Sequence, residues 1–263
     1  MPKNNSQSKA NPKPKTKSQS KNKSKSQSKV QPKRSVLRRL WLGLVKKLWY
    51  VFWRVTLVFI LLLLLFRFVP LPTTAFMLQS DYPVEYDWIS IDKLPDHVAL
   101  AMVASEDQRF PVHNGVDFSA IRKALAQFLN GKGLRGASTI SQQTAKNIFL
   151  WPQQSFFRKG MEALLALSLE TLWGKKRILE VYLNVAEFGK GIYGVEAASQ
   201  HYFGRSARRL TKDQAARLAV LLPSPRTRDP VNLTRYLRKR AAWVELQMRQ
   251  LGNNYLASVL NKE

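Results

Sequence analysis

The 263-residue sequence contains no cysteine, which excludes disulfides and thiolate-held zinc and leaves the redox compartment open. Acidic residues are missing from the first 80 positions: all 17 lie from Asp81 onward, whereas that stretch carries 17 of the 43 basic residues. The formal charge of +26 therefore belongs mainly to the N-terminal part, since 26 basic against 17 acidic residues leave the remainder at +9. No stretch shows sustained β alternation and no internal repeat is present, which argues against β-sandwiches and solenoids. What is left is room for one medium, mainly α domain with appendages.

Up to about residue 35 the chain is Lys, Ser, Gln, Asn and Pro with almost nothing apolar, too little to offset chain entropy, so it reads as disordered. A basic tail of this kind neutralises phosphate in some proteins. This one lacks interleaved aromatics for stacking on bases, so a solvated, topology-setting tail is favoured over a nucleic-acid arm. Ser20 to Lys23 and Ser26 to Lys29 match a Ser-x-x-Lys acylation motif, as chance supplies in Ser/Lys low complexity. From Leu48 to Phe66 runs LWYVFWRVTLVFILLLLLF, long enough to cross roughly 30 Å of hydrocarbon as a helix. Arg54 is its single charge, close enough to the basic end for its stem to snorkel, and Trp41, Trp49, Tyr50 and Trp53 supply an aromatic belt. The flank Arg67, Phe68, Val69, Pro70 does not suit signal cleavage. The expected division is a disordered basic tail over 1–47, a membrane anchor over 48–69 and a domain over 70–263. The positive-inside rule puts the tail in the cytoplasm and the domain outside it, in a single pass.

Within the domain the helix signals are local. Pro95 and Asp96 open a helix running to about Ser105; Asp117 caps a second, ended by Gly131; Ser155 caps a third reaching Trp173, with Gly174 just beyond. Ile178 to Leu183 mark a fourth, Val195 to Phe203 a fifth stopped by Gly204, and Thr211 with Gln214 form a capping box for a sixth. A basic helix from about Asn232 to Leu251 closes the set.

Polar residues with chemical potential cluster between Ala104 and Glu162. Glu106 follows the apolar run LPDHVALAMVAS, where partial desolvation favours the protonated carboxyl and makes a usable base near neutral pH. Glu162 begins a second apolar run with Arg158 and Lys159 one turn earlier, a mixed cluster suited to a phosphate, directly or through a divalent cation. Between them lies RGASTISQQTAKN, with Gly131, Gly133 and Gly136 in its approach. Ser138 and Thr139 are placed to cap the following helix, and Gln142, Gln143, Lys146 and Asn147 offer donors and a cation on successive turns, a wall for an anionic sugar ligand.

EDQRFPVHNG, GASTISQQTAKN, RKGMEALL, KKRILEVYLN and GIYGVEAASQHYFG, in this order, resemble the five motifs of the peptidoglycan glycosyltransferases, glycosyltransferase family 51, over roughly residues 95 to 225. The basic tail, single anchor and lack of a following transpeptidase domain are similar to the family's monofunctional biosynthetic branch. The resemblance implies a lysozyme-like α fold with a smaller membrane-facing subdomain, and lipid II as substrate. It implies Glu106 as the general base and Glu162 as organiser of Arg158, Lys159 and a divalent metal (Mg2+ or Mn2+) around a departing diphosphate, with no organic cofactor. Ser138, Gln142, Lys146 and Asn147 map onto the family's donor-site wall. No metal ligand is firmly assigned beyond Glu162, through the diphosphate. Where many relatives carry Arg before the third-motif serine this chain has Gln154, so that position receives no role. Implied partners are lipid II, the growing glycan strand, the bacterial cytoplasmic (inner) membrane and other cell-wall synthesis or division proteins, with no nucleic acid. Asp107, Arg109, Phe110, His113 and Gly115 read as holders of the turn that presents Glu106, His113 having no metal-ligand company. Tyr182 and Asn184 read as packing or cleft-lining. Phe118, Ile121, Leu125, Phe128 and Leu129, beside Arg122 and Lys123, form either a core stripe or a face dipping into lipid headgroups. Two other functions stay open: a lytic, lysozyme-like glycan cleaver, and a non-catalytic membrane scaffold with a recruiting tail.

Overall fold

A computed structural model describes residues 34–131 and 138–260. The tail before residue 34, Gly133, Gly136 and the side chain of Leu125 lie outside the described residues. The chain divides into two units, Met1–Trp53 and Arg54–Glu263. Helix α1, Arg34–Phe66, contributes to both. In the first unit the described side chains are exposed all round the helix, and Trp49 packs on Phe52 and Trp53 one turn away. Residues 34–47, expected to belong to the disordered tail, are helical. Their leucines, arginines and lysines are good helix formers, and only Gly43 interrupts them. Among the described residues this is the one helix long and apolar enough to cross a membrane.

The second unit is helical, in line with the expected class. After a short α2 (Ala75–Leu78) come α3 (Asp96–Glu106), α4 (Phe118–Leu129), α5 (Ile140–Phe149) and α6 (Phe156–Val185). They are followed by α7 (Val195–Phe203), α8 (Lys212–Ala219), α9 (Arg235–Leu251) and α10 (Ala257–Leu260). Caps set the boundaries. Asp117 Oδ1 accepts from Ser119 N and Ala120 N at 2.9 and 3.0 Å, the Ser155 side chain accepts from Arg158 N, and Thr211 with Gln214 close a capping box. Helix α9 starts later than expected because Asn232 is held in a turn by Asp229, and Thr234 takes the cap. At Gly174 φ is +73°, a left-handed conformation that glycine adopts without a Cβ penalty, and the axis of α6 breaks there into two helical pieces.

A small sheet escaped the sequence reading. Strand β1 (Glu85–Tyr86) lies parallel to β3 (Ile192–Tyr193), and β2 (Glu187–Gly189) pairs with β3 from the other side, antiparallel. Two or three residues are too few for alternation to register, and one pair joins segments about 100 residues apart. Gly194 follows with φ +85°, and a Cβ there would sit 2.6 Å from Asn184 O, so only glycine lets α7 begin against α6. The core is built around α3, whose Val98 to Ala104 are all buried, with α8 and α9 packed on it while α5 lies along α6. The last turns of α1 join this unit. Leu63 is buried with its carbonyl accepting from Trp173 Nε1 at 2.7 Å, and Arg177 donates to Phe66 O and Val69 O.

Candidate active site

Helix α3 buries seven consecutive residues, Val98 to Ala104, and the chain regains access to solvent only at Ser105 and Glu106, the first carboxylate after that run. It emerges partly accessible. Burial pushes its carboxyl above the usual carboxylate range, and the negative end of the α3 dipole works in the same direction. Hydrogen bonds from Gln143 and Ser105, and the fields of Arg240 and Arg228, pull the other way. Gln143 Nε2 donates to Glu106 Oε2 at 3.0 Å, while the Ser105 hydroxyl reaches Oε1 only at 3.4 Å. Among the described residues no cation stands within ion-pair distance of Glu106. Oε1 is consequently the oxygen left to take a proton.

The turn after Glu106 is tied to α5. Asp107 Oδ2 accepts from Ile140 N at 2.9 Å and meets His113 Nε2 at 2.8 Å, so one buried carboxylate fastens the end of α3 to the start of α5. Arg109 pairs with Asp117 at 3.0 Å, and Phe110 is buried. These residues hold the turn, as the sequence reading expected of them.

Glu162 is 3 % exposed and is answered from two sides. Arg158 Nε lies 3.0 Å from Oε1, an ion pair whose angle falls short of a hydrogen bond, and Lys159 Nζ donates to Oε2 at 2.7 Å. Arg158 also donates to the carbonyls of Trp151 and Pro152 at 2.9 and 2.7 Å, while the exposed Lys159 reaches Ser138 Oγ at 2.6 Å. Helix α5 spans the two carboxylates. Gln143 reaches Glu106 and Lys146, three residues on and on the same face, feels the fields of both Glu162 and Glu106. Burial lowers the Lys146 ammonium below the usual lysine range, opposed first by Glu162, and the phenyl ring of Phe76 lies 5.1 Å away.

Gln142 and Asn147, expected in the wall, face inward, as does Thr139, expected as a cap. Thr139 is the α5 N-cap and donates to Gly115 O at 2.5 Å; Gln142 closes the capping box by accepting from Thr139 N; Asn147 is buried with its amide toward Val185 O at 3.4 Å. Ser138, Gln143, Lys146 and Lys159 remain accessible or partly so. Tyr182 and Asn184 are fully buried and line no open surface, and Asn184 is spent on Ile89 and Glu180. Arg228 and Arg240 near Glu106 were missed, since nothing local in the sequence connects a C-terminal loop and α9 to the end of α3.

The donor set bears on the expected divalent ion. No group of three or more His, Asp or Glu that could hold a metal occurs among the described residues, and both Glu162 oxygens already face cations. This does not suit a resident ion, and no step below passes through one.

Comparison with known proteins places the chain in a family. The family model described as Transglycosylase matches residues 74–249. A protein of Marinomonas sp. (strain MWYL1) named biosynthetic peptidoglycan transglycosylase is 71 % identical over 218 residues, 83 % of this chain and 97 % of its own. One of the same name from Shewanella frigidimarina is 69 % identical over 81 % of this chain and 94 % of its own. Another, from Haemophilus influenzae, is 48 % identical over 74 % and 84 %.

Proposed function

The chain belongs to the transglycosylase family, and on that premise we propose that Glu106 is the general base of a glycan polymerisation fed by lipid II. The protein is a peptidoglycan transglycosylase. Glu106 Oε1 takes the proton from the acceptor sugar's 4-hydroxyl as that oxygen bonds to the donor's anomeric carbon. The anomeric carbon–oxygen bond to the diphosphate breaks, its electron pair leaving with undecaprenyl pyrophosphate, and a β-1,4 linkage results. Gln143 steadies the base through Oε2. The cations of Lys146, Lys159 and Arg158 stabilise the charge that gathers on the departing diphosphate. Glu162 keeps the last two in place and acts through them. Magnesium or manganese, where it serves, arrives with the substrate's diphosphate rather than resting on Glu162, whose two oxygens are taken by Arg158 and Lys159.

One observation carries this reading: of two carboxylates near Lys146, one has no cation within ion-pair distance among the described residues and the other is clamped between two. A raised carboxyl by itself suits a general acid as well as a base. A glycan cleaver must protonate a departing sugar oxygen, however, and needs no cation cluster beside it. A diphosphate leaves unprotonated and needs one. Incubation of the full chain in detergent with labelled lipid II, and separately with peptidoglycan sacculi, tests the assignment. Strands on a gel from lipid II and no release from sacculi are expected; release from sacculi defeats the reading.

The membrane supplies the rest. With α1 as anchor, Arg38, Arg39, Lys46 and Lys47 at its N-terminal end support, by the positive-inside rule, a cytoplasmic tail and a catalytic domain outside the cytoplasm. On α4, Phe118, Ile121, Phe128 and Leu129 are 73, 41, 53 and 74 % exposed, so the stripe is not core. An apolar face of this size beside Arg122 and Lys123 suits the headgroup layer, where the lipid of the substrate resides. Vesicle flotation of the chain from residue 70 checks it: Phe118→Ser with Phe128→Ser is expected to weaken binding several-fold.

A further inference from the structure

Tyr182 stands behind the base without touching the accessible surface. Its side chain is fully buried on α6, and its hydroxyl donates to Gln143 Oε1 at 3.3 Å, while the same amide's Nε2 donates to Glu106 Oε2 at 3.0 Å. A glutamine amide has two orientations that differ by exchange of oxygen and nitrogen. Reversed, Gln143 turns a carbonyl oxygen on an acceptor-only carboxylate and offers its N–H2 to a phenol that then lacks an acceptor. Burial raises the Tyr182 phenol well above its ordinary range, so it stays a donor at every working pH. The chain is thus one-directional, from Tyr182 through Gln143 to Glu106.

We propose that Tyr182 is a positioning residue for the reaction: its hydroxyl locks the Gln143 amide so that N–H faces Glu106, holding Oε2 and leaving Oε1 free to accept the acceptor's proton. The inference rests on the reading of Glu106 as base. It is separate from packing, because Tyr182→Phe keeps the ring and removes only the lock. Other groups facing Glu106 are the Ser105 hydroxyl on α3, neighbouring Asp107, Lys146 on α5, Arg228 in the loop after α8 and Arg240 on α9. All are unchanged in Tyr182→Phe, so a shift in that variant reports the amide.

The test uses the full chain in detergent with glutamate carboxyl carbons labelled, the Glu106 resonance being identified by its loss in Glu106→Gln. Tyr182→Phe is expected to move the Glu106 titration upward by about half a pH unit or more, because a donor to the ionised form is loosened. Polymerisation should show the acid limb of kcat/KM moved by the same amount, with kcat down about ten-fold and KM unchanged. Gln143→Met should shift the titration at least as far, and Tyr182→Phe added to it should shift it no further. An unmoved titration in Tyr182→Phe overturns the proposal, as does additivity in the double variant. Should Tyr182→Phe fail to fold, an unmoved titration in Gln143→Met overturns it alone. A titration that moves while the activity profile stays fixed upholds the lock and sinks Glu106 as the base.

Discussion

Glu106 and Glu162 are both carboxylates drawn out of water, and their surroundings differ in kind. Glu106 sits at the carbonyl end of a largely buried helix, has no cation within ion-pair distance among the described residues, and is held through one oxygen by a neutral amide. Glu162 lies within the first turns of α6 with a guanidinium and an ammonium against its two oxygens. A desolvated carboxylate without a partner cation keeps a proton affinity worth using, whereas one set between two cations serves to hold those partners in place. On the proposed reading, proton transfer falls to one side of Lys146 and charge neutralisation to the other.

The harshest way to break that contrast is Glu106→Gln, which keeps shape and hydrogen bonding but removes the base. Polymerisation of labelled lipid II is expected to fall by about a thousand-fold or more. Glu162→Gln should hit stability as well as turnover, because Arg158 is left buried without its counter-ion. A loss of about 3 kcal/mol in chemical denaturation is expected, and full stability would show that the clamp is ornamental. Lys146→Met probes the middle ground, with kcat expected to drop about a hundred-fold and the fold intact.

The smallest effects are in pH, and they separate the two carboxylates most cleanly. Because the Glu106 carboxyl is raised, the acid limb of kcat/KM should lie above the ordinary carboxylate range. The same shift has a sign in stability. A raised carboxyl favours the fold below the ordinary carboxylate range, and that contribution is lost as pH rises through the raised value. Glu106→Gln should therefore melt no lower than the parent at neutral pH, and higher if the buried charge is felt in full. A melting temperature that falls contradicts the burial argument.

Much of the helical frame was legible because its signals are local. Asp117, Ser155, Thr211 with Gln214, Gly174 and Gly204 each act within one turn of their own position. What was not legible depends on contacts across the chain or on the direction a side chain faces. Strand β1 meets β3 only after the chain has folded, and Arg228 and Arg240 come near Glu106 only because α9 packs on α3. Around the site, residue type announced polar chemistry on RGASTISQQTAKN. It announced Thr139 as a cap, but not that Gln142 would be drawn into the same capping box and Asn147 buried while Gln143 and Lys146 stay available. Nor did it link Tyr182 to Gln143, since both sit in ordinary helical register and meet only because α5 lies along α6.

The seating of the last turns of α1 against Trp173 and Arg177 has a mechanical consequence. Three main-chain carbonyls, at Leu63, Phe66 and Val69, are gripped from either side of the Gly174 break, so this end of the stalk has no swivel. Twisting the final turns of α1 would therefore drag both pieces of α6 along, since each grips the same short length of main chain.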